Sequence, residues 1–234
     1  MSFAKRGYSD FDPRIPPGWR VVLSDSWPIN TTIGPDDDSP DLGTWRFGTY
    51  GDVTNPLSLT YQDFLGLPHV KILADHHCID GWSYLGHEWG GVPLNEITKR
   101  TMPIDGARHI LIECERGVSQ TFPIDQDLLL ATERNGKPLT RGGGFPLRAV
   151  APGEYGYKSS KWVRKIKFTS TREYDFYEKG AIGFGIPPIP PEENPWNCND
   201  LERKKLLKKF FSSMVEEERK RRVERWAIVH DKSK

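Results

Sequence analysis

Between Val70 and Cys78 the chain alternates, with Val70, Ile72, Ala74, His76 and Cys78 at every second position. That period predicts a β-strand with His76 and Cys78 on one face and His77 on the other. Similar reasoning predicts strands near Trp45 to Gly51, over His109 to Cys114 with Ile110, Leu111 and Ile112, at Ala149-Val150, and over Val163 to Thr169. Helical segments are expected to be short. Thr60-Tyr61-Gln62-Asp63 has the form of an N-cap whose hydroxyl accepts from a backbone N–H, predicting a helix to Leu65. Pro93 to about Arg100, and Asp125 to Ala131, also read as helices, and Gly90-Gly91 reads as a turn. No internal repeat is visible. Short strands and short helices interspersed in this way predict an α+β fold of mixed β-sheets.

Three regions differ in texture. Residues 1–43 are rich in Pro, Gly and Asp and read as a wrapping arm, its middle packed through Trp19, Val21, Val22, Leu23 and Trp27. Residues 44–196 form the main domain and end in the proline-rich spacer from Pro187 to Pro195. Residues 197–234 predict a C-terminal helix, N-capped near Asn199-Asp200 and running through Trp226. Leu206, Leu207, Phe210, Phe211, Met214 and Val215 give it an apolar stripe, which would pack on its own domain or join two copies as a homo-oligomer.

Charge adds mainly exclusions. The 33 basic and 32 acidic residues nearly cancel. A nucleic-acid partner would call for a basic excess, and the run Arg219 to Arg222 lies beside Glu216-Glu217-Glu218 as a solvated face. No apolar stretch approaches the roughly 20 residues that span a membrane, so no membrane partner is expected. The N-terminal residues show neither an apolar signal core nor an Arg-Arg pair, and Cys78, Cys114 and Cys198 include no CxxC pair. Both features predict a cytoplasmic, reducing environment rather than a disulfide scaffold.

Two stretches carry the candidate chemistry. In His76-His77-Cys78, followed by Trp82-Ser83, Trp89 and Gly91-Val92-Pro93-Leu94, a lone thiol closes a strand. A lone cysteine is most often a small buried hydrophobe, but as thiolate it is also a ligand for a soft metal. A zinc site at His76-His77-Cys78 is the weaker reading, because adjacent strand residues diverge and no second ligand cluster has zinc spacing. The second stretch, Arg141-Gly142-Gly143-Gly144 with Arg148 and Lys161, is a glycine-rich cationic loop. Glycines permit close backbone approach to an anion and the cations neutralise it. By itself such a loop is usually only a turn.

Taken in order, Cys78, Trp82-Ser83, Trp89, Gly91 to Leu94, Pro146-Leu147-Arg148, Tyr155-Gly156, Lys158-Ser159 and Lys161-Trp162 resemble the molybdopterin-binding domain of the sulfite oxidase family. The likeness is greatest to its short, haem-free bacterial and archaeal members, relatives of the periplasmic methionine-sulfoxide reductase catalytic subunit. It runs from about Pro16-Pro17-Gly18 to Pro195-Trp196 and includes Trp45 and Gly51 to Pro56.

The resemblance implies the sulfite-oxidase type of fold, molybdenum held by one molybdopterin with Cys78 as the protein's metal ligand, and oxygen-atom transfer on a small-molecule substrate. It implies that Arg148, Ser159, Ser160 and Lys161 hold the pterin and its phosphate, and that Ser83 is a further pterin contact. Asn30 and Cys114 match pocket positions less closely, and Cys114 reads equally as a core cysteine. Where many relatives have His or Asn, this chain has Gly143, leaving only a backbone contact there. The relatives' Gly-Tyr-His falls at Gly180-Ala181-Ile182, so no role is carried to it. No haem motif is present, which calls for a separate electron-transfer partner. Sulfite oxidases proper have arginine shortly after the ligand cysteine, whereas this chain has Ile79-Asp80-Gly81-Trp82-Ser83. A carboxylate there disfavours a dianion and points to a neutral sulfoxide, N-oxide or similar substrate rather than sulfite. The alternative is a non-catalytic module that carries the cofactor or serves interaction. Cys78 favours the enzyme, since a carrier needs only the phosphate clamp.

Overall fold

The computed structural model describes residues 13–15, 20–22, 39–78 and 82–183, together with Lys209, Ser213, Glu216 and Lys220. Asn30, residues Ile79, Asp80 and Gly81, the proline-rich spacer and nearly all of the expected C-terminal helix lie outside these residues.

Two sheets meet along one seam. The first contains β1 (Arg20–Val21), β4 (Val70–Cys78), β5 (Trp82–Pro93), β8 (Leu129–Arg134), β9 (Lys137–Pro138) and β10 (Arg148–Val150). The long β5 is its axis: β4 runs antiparallel along one edge, while β1 pairs in parallel with Trp82-Ser83 and β8 antiparallel from Trp89 to Pro93 on the other. The second sheet has the order β3 (Ser58–Thr60), β2 (Arg46–Gly51), β11 (Val163–Thr169), β6 (His109–Cys114), β7 (Ser119–Pro123). Three short helices, α1 (Tyr61–Leu65), α2 (Leu94–Thr101) and α3 (Phe176–Gly183), complete the α+β fold.

Each element has a local cause. Thr60 and Asp63 form a reciprocal capping box at α1, the hydroxyl accepting from Asp63 N and the carboxylate from Thr60 N. The alternation of β4 holds through Cys78, and the register irregularity beside Asp75 is absorbed on β5, where Gly86 (φ 69°) donates its N–H to the Asp75 carboxylate. The middle of the first sheet, at β8 and β10, is buried on both faces. Leu130 and Ala149 face the main core between the sheets, with Ile110, Ile112, Val163 and Phe168, while Leu129, Ala131 and Val150 face a second core with Trp82, Tyr84 and Trp89.

Three expectations are corrected. Gly90-Gly91 is the interior of β5, not a turn. A Cβ on Gly91 would overlap Leu130 O and come within 2.6 Å of Ala131 Cα, so β8 can approach only a glycine there. Asp125 to Ala131 is not helical, because Leu129, Leu130 and Ala131 belong to β8 and are buried on alternate faces. A central strand buried on both sides has no polar alternation, so the run read equally well as a helix. The arm is not wholly irregular either: β1 adds to β5, and Val22 donates its N–H to Ser83 O at 2.7 Å and packs on the second core.

Candidate functional site

The chain passes from β10 to β11 through residues 151–162, and this passage folds back on the strand it left. Arg148 and Lys161 form an antiparallel bridge, Ala149 N donates to Ser160 O at 2.8 Å, and Val163 N donates to Leu147 O at 2.9 Å. Two cationic residues are thereby set side by side at the seam of the sheets. Arg148 is 2% exposed. Alternation along β10 puts it on the second-core face, where its guanidinium lies over the Trp89 ring at 5.3 Å. The Lys161 ammonium lies 4.9 Å from the centre of the Trp162 ring.

Burial, and then the neighbouring Arg148 charge, push Lys161 down to about 7. Arg148 is also pushed down, first by burial and then by Arg134. The charge of Cys78 acts on both in the opposite sense. Three sequence-predicted residues, Cys78, Arg148 and Lys161, thus share one electrostatic site.

The glycine-rich turn forms its wall. Gly144 has φ 115°, and a Cβ there would stand 3.1 Å from Arg148 Cβ and 3.2 Å from Lys161 Cβ, so the turn lies directly on the stems of both cations. Gly143 O accepts from Arg148 Nη1 at 2.9 Å, while its N–H donates to Thr140 O. Its backbone therefore orients the guanidinium. Arg141 braces the turn from outside through an ion pair with Glu115 at 2.6 Å, and its carbonyl accepts from Trp162 Nε1 at 2.8 Å.

The strand that carries Cys78 is tied to the same passage. Gly156 N donates to His77 O at 2.8 Å, and the buried His76 ring comes so close to Gly156 that a Cβ there would lie 2.6 Å from its Cε1. His76 is held neutral by burial, with Arg148 adding to the effect. Ser83 is fully buried, and its hydroxyl is hydrogen-bonded to His77 Nδ1 at 2.8 Å. Its direct contact in this structure is therefore with the histidine beside Cys78. Among the described residues, no three His, Cys, Asp or Glu side chains are placed to hold a metal ion between them.

Ser159 and Ser160 are both buried. The Ser159 hydroxyl accepts from Ala151 N at 3.2 Å. The Ser160 hydroxyl has no oxygen or nitrogen partner among the described residues and lies against the Cys114 thiol. Cys114 is buried in the main core, and burial pushes its thiol up to about 12, so it stays protonated. The site thus offers one thiol, two adjacent cations of which Arg148 is buried and Lys161 part-buried, and a buried hydroxyl with unused hydrogen-bonding capacity. That donor set fits an anionic, phosphate-bearing cofactor with a soft metal.

Sequence reasoning missed Tyr177 of α3. It packs on the main core, lies edge-on to Tyr157 at 5.6 Å, and its phenol is pushed up chiefly by burial and further by the Asp175 charge. The signal was the spacing Asp175 to Glu178, a capping box that announces α3: Glu178 N donates to the Asp175 carboxylate at 2.9 Å, and Asp175 N donates to Glu178 at 2.8 Å.

Comparison with known proteins agrees with this geometry. Residues 34–177 match the model of the oxidoreductase molybdopterin binding domain. An uncharacterized oxidoreductase, YuiH, of Bacillus subtilis is 33% identical over 204 residues, covering 84% of this chain and 100% of that protein. The protein-methionine-sulfoxide reductase catalytic subunit MsrP of Xanthomonas campestris is 31% identical, over 70% of this chain and 58% of its own length. The sulfite oxidase of Arabidopsis thaliana is 31% identical, over 66% of this chain and 48% of its own. The chain therefore spans all of the first relative but about half of the other two. In fold, it superimposes on the sulfane dehydrogenase SoxCD of Paracoccus pantotrophus with a TM-score of 0.53 at 23% identity, over 58% of this chain and 40% of that one. With its fold, a full-length relative and most of the main domain in agreement, the chain belongs to the sulfite-oxidase-like family of molybdopterin-binding oxidoreductases.

Proposed function

We propose that this enzyme transfers an oxygen atom at molybdenum to or from a small neutral molecule, in the reductive direction a sulfoxide, an N-oxide or a similar donor. The observation that carries the reading is the pairing of the buried Arg148 with Lys161 across one bridge, within the electrostatic reach of Cys78. One thiolate at the end of β4 supplies the protein's sulfur to the metal. Arg148, Lys161 and the Ser160 hydroxyl would hold the single molybdopterin and its phosphate. Bound there, the molybdenum centre supplies two-electron oxygen-atom transfer.

The chain's own residues set the conditions for that step. Trp82, Tyr84 and Trp89 exclude water beside β5, each being less than 5% exposed. Tyr177 keeps its phenolic proton near Cys78. Reduction of a sulfoxide balances as one sulfoxide, two electrons and two protons giving one sulfide and one water. The electrons come from a separate protein partner, and no haem is assigned to this chain. A neutral substrate is favoured because Asp80 follows the ligand cysteine closely and repels a dianion such as sulfite.

The test is elemental and pterin analysis of protein made in a host that synthesises molybdopterin, followed by steady-state assays. Wild type should carry about one molybdenum per chain and reduce sulfoxides or N-oxides, whereas Cys78→Ser should fold but lose activity, a hydroxyl being a poor ligand for a soft metal. Wild type with no metal and no pterin would overturn the enzymatic reading. Sulfite oxidation with kcat/KM at or above about 10⁴ M⁻¹s⁻¹, without sulfoxide or N-oxide turnover, would overturn the substrate class.

A further inference from the structure

The segment from Tyr155 to Lys161 carries the residues assigned to the cofactor yet contains no helix and no strand. Backbone bonds secure its two ends, Gly156 N to His77 O and Ala149 N to Ser160 O. Its middle is folded by turn bonds of its own, Lys158 N to Tyr155 O and Ser159 N to Gly156 O, and is tied to the second sheet and α3 by side chains. Gln120 of β7 is fully buried, and its Nε2 donates to Tyr157 O at 2.9 Å. Lys158 extends its ammonium over the Phe122 ring at 5.4 Å to reach Asp175 at 2.9 Å.

Asp175 is fully buried, and its position does not depend on Lys158. It is the N-cap of α3, in reciprocal hydrogen bonding with Glu178, where the helix dipole favours a negative charge. The carboxylate is therefore the fixed anchor and Lys158 the arm drawn to it. Such a pair has little reason to exist for stability alone, because desolvation of the buried Asp175 and the largely covered Lys158 offsets most of their attraction and apolar replacements are often neutral or stabilising. What the pair supplies is geometry, since it locks the backbone immediately before Ser159, Ser160 and Lys161.

We propose that Lys158, Asp175 and Gln120 are positioning residues that hold the Ser159-Ser160-Lys161 segment in its cofactor-binding conformation. The inference rests on the reading of that segment as the phosphate clamp. It also gives α3 a role: the helix whose N-terminus anchors Lys158 is the one that places Tyr177 against Tyr157.

The test uses the full chain made with and without molybdopterin. The double variant Lys158→Met/Asp175→Asn removes both charges and keeps an N-cap, since Asn caps about as well as Asp. Its apo form should melt within about 5 °C of wild type. Its molybdenum and pterin content should fall at least about tenfold, equivalent to about 1.4 kcal/mol, and amide exchange at Gly156, Ser159 and Ser160 should accelerate while β7 and β11 stay protected. Wild-type loading and wild-type exchange in that segment would overturn the proposal. Should the double variant fail to fold, Gln120→Met, which leaves the ion pair intact, must lower loading several-fold, and unchanged loading overturns the proposal instead. Lys158→Arg, which keeps a cation facing Asp175, should load more cofactor than Lys158→Met, and equal loading by the two would also count against the assignment. Lys161→Ala is the control. Full loading by that variant sinks the phosphate-clamp reading and this proposal with it, whereas low loading by Lys161→Ala alongside wild-type loading by the other variants sinks only the positioning role.

Discussion

Replacing Lys161 with methionine should stabilise the apo protein while emptying the holo protein. Burial and the adjacent Arg148 bring the lysine from its ordinary 10.5 to about 7. At about 1.36 kcal/mol for each tenfold change in proton affinity, keeping the ammonium charged costs about 5 kcal/mol. Residual solvent contact and the Trp162 ring at 4.9 Å offset part of this, a cation–π contact being worth about 1–2 kcal/mol. Lys161→Met, similar in length but uncharged, should therefore gain about 2–3 kcal/mol at pH 6. The sign of the pH dependence follows from proton counting. Between about 7 and 10.5 the unfolded chain holds a proton that the native state has released, so wild-type stability rises with pH across that window. The advantage of the variant should thus shrink from pH 6 to pH 9. Urea denaturation of apo proteins at the two values measures it, and metal analysis of protein from a molybdopterin-making host should find the variant depleted. A variant less stable than wild type at pH 6, or an advantage unchanged at pH 9, would refute the argument that Lys161 is a charge buried for a ligand.

Two further predictions concern the scaffold. Gly91→Ala should cost more than about 3 kcal/mol, since its methyl group would overlap the backbone of Leu130 and Ala131; a urea midpoint near wild type would contradict the described β5–β8 approach. His87 is fully buried, stacked on Tyr84 at 3.7 Å, and brought by burial to about 3. Its contribution to stability is present above its ordinary 6.5 and is lost as pH falls from there toward 3, because only the unfolded imidazole takes up a proton in that range. His87→Phe should flatten the stability profile between pH 7 and 4, and identical profiles would rule out His87 as the acid-sensitive group.

The parts of the fold legible in the sequence were those with local signatures. The alternation of β4, the Thr60 cap of α1 and the bounds of β6 and β11 follow from period and capping alone. β8 was misread for a tertiary reason: a strand covered on both faces by different cores is apolar throughout, and only its partners β5, β9 and β10 declare it a strand. Gly90-Gly91 failed similarly, because glycine signals a turn locally but here answers to the backbone of a neighbouring strand. At the site, the residues assigned to the cofactor came from the ordered spacing of motifs that resemble the family. The residues that hold them were not. Gln120, Lys158 and Asp175 come from three separate stretches and acquire their meaning only where β7, α3 and the returning passage meet.

The arrangement of charges also limits what the site can accept. Lys158 is committed to Asp175, Arg141 to Glu115, and Arg148 to Gly143 O while sharing its field with Lys161. The two cations nearest Cys78 lie at the seam, beneath the glycine turn, where a phosphate group of the cofactor would consume their charge. Along the strand that follows Cys78 in sequence, Trp82 and Tyr84 are buried aromatic rings of the second core, while Tyr177, packed on the main core, keeps its phenolic proton. Such groups solvate a dianion poorly, because indole and neutral phenol supply no positive charge to replace its water. The proposed substrate, a polar but uncharged oxygen donor, avoids that penalty because its S–O or N–O dipole can accept a hydrogen bond without bringing a full charge out of water. On the proposed reading Arg148 and Lys161 serve the cofactor's phosphate, which is a reason for the chain to keep two adjacent cations largely out of water at a cost in apo stability.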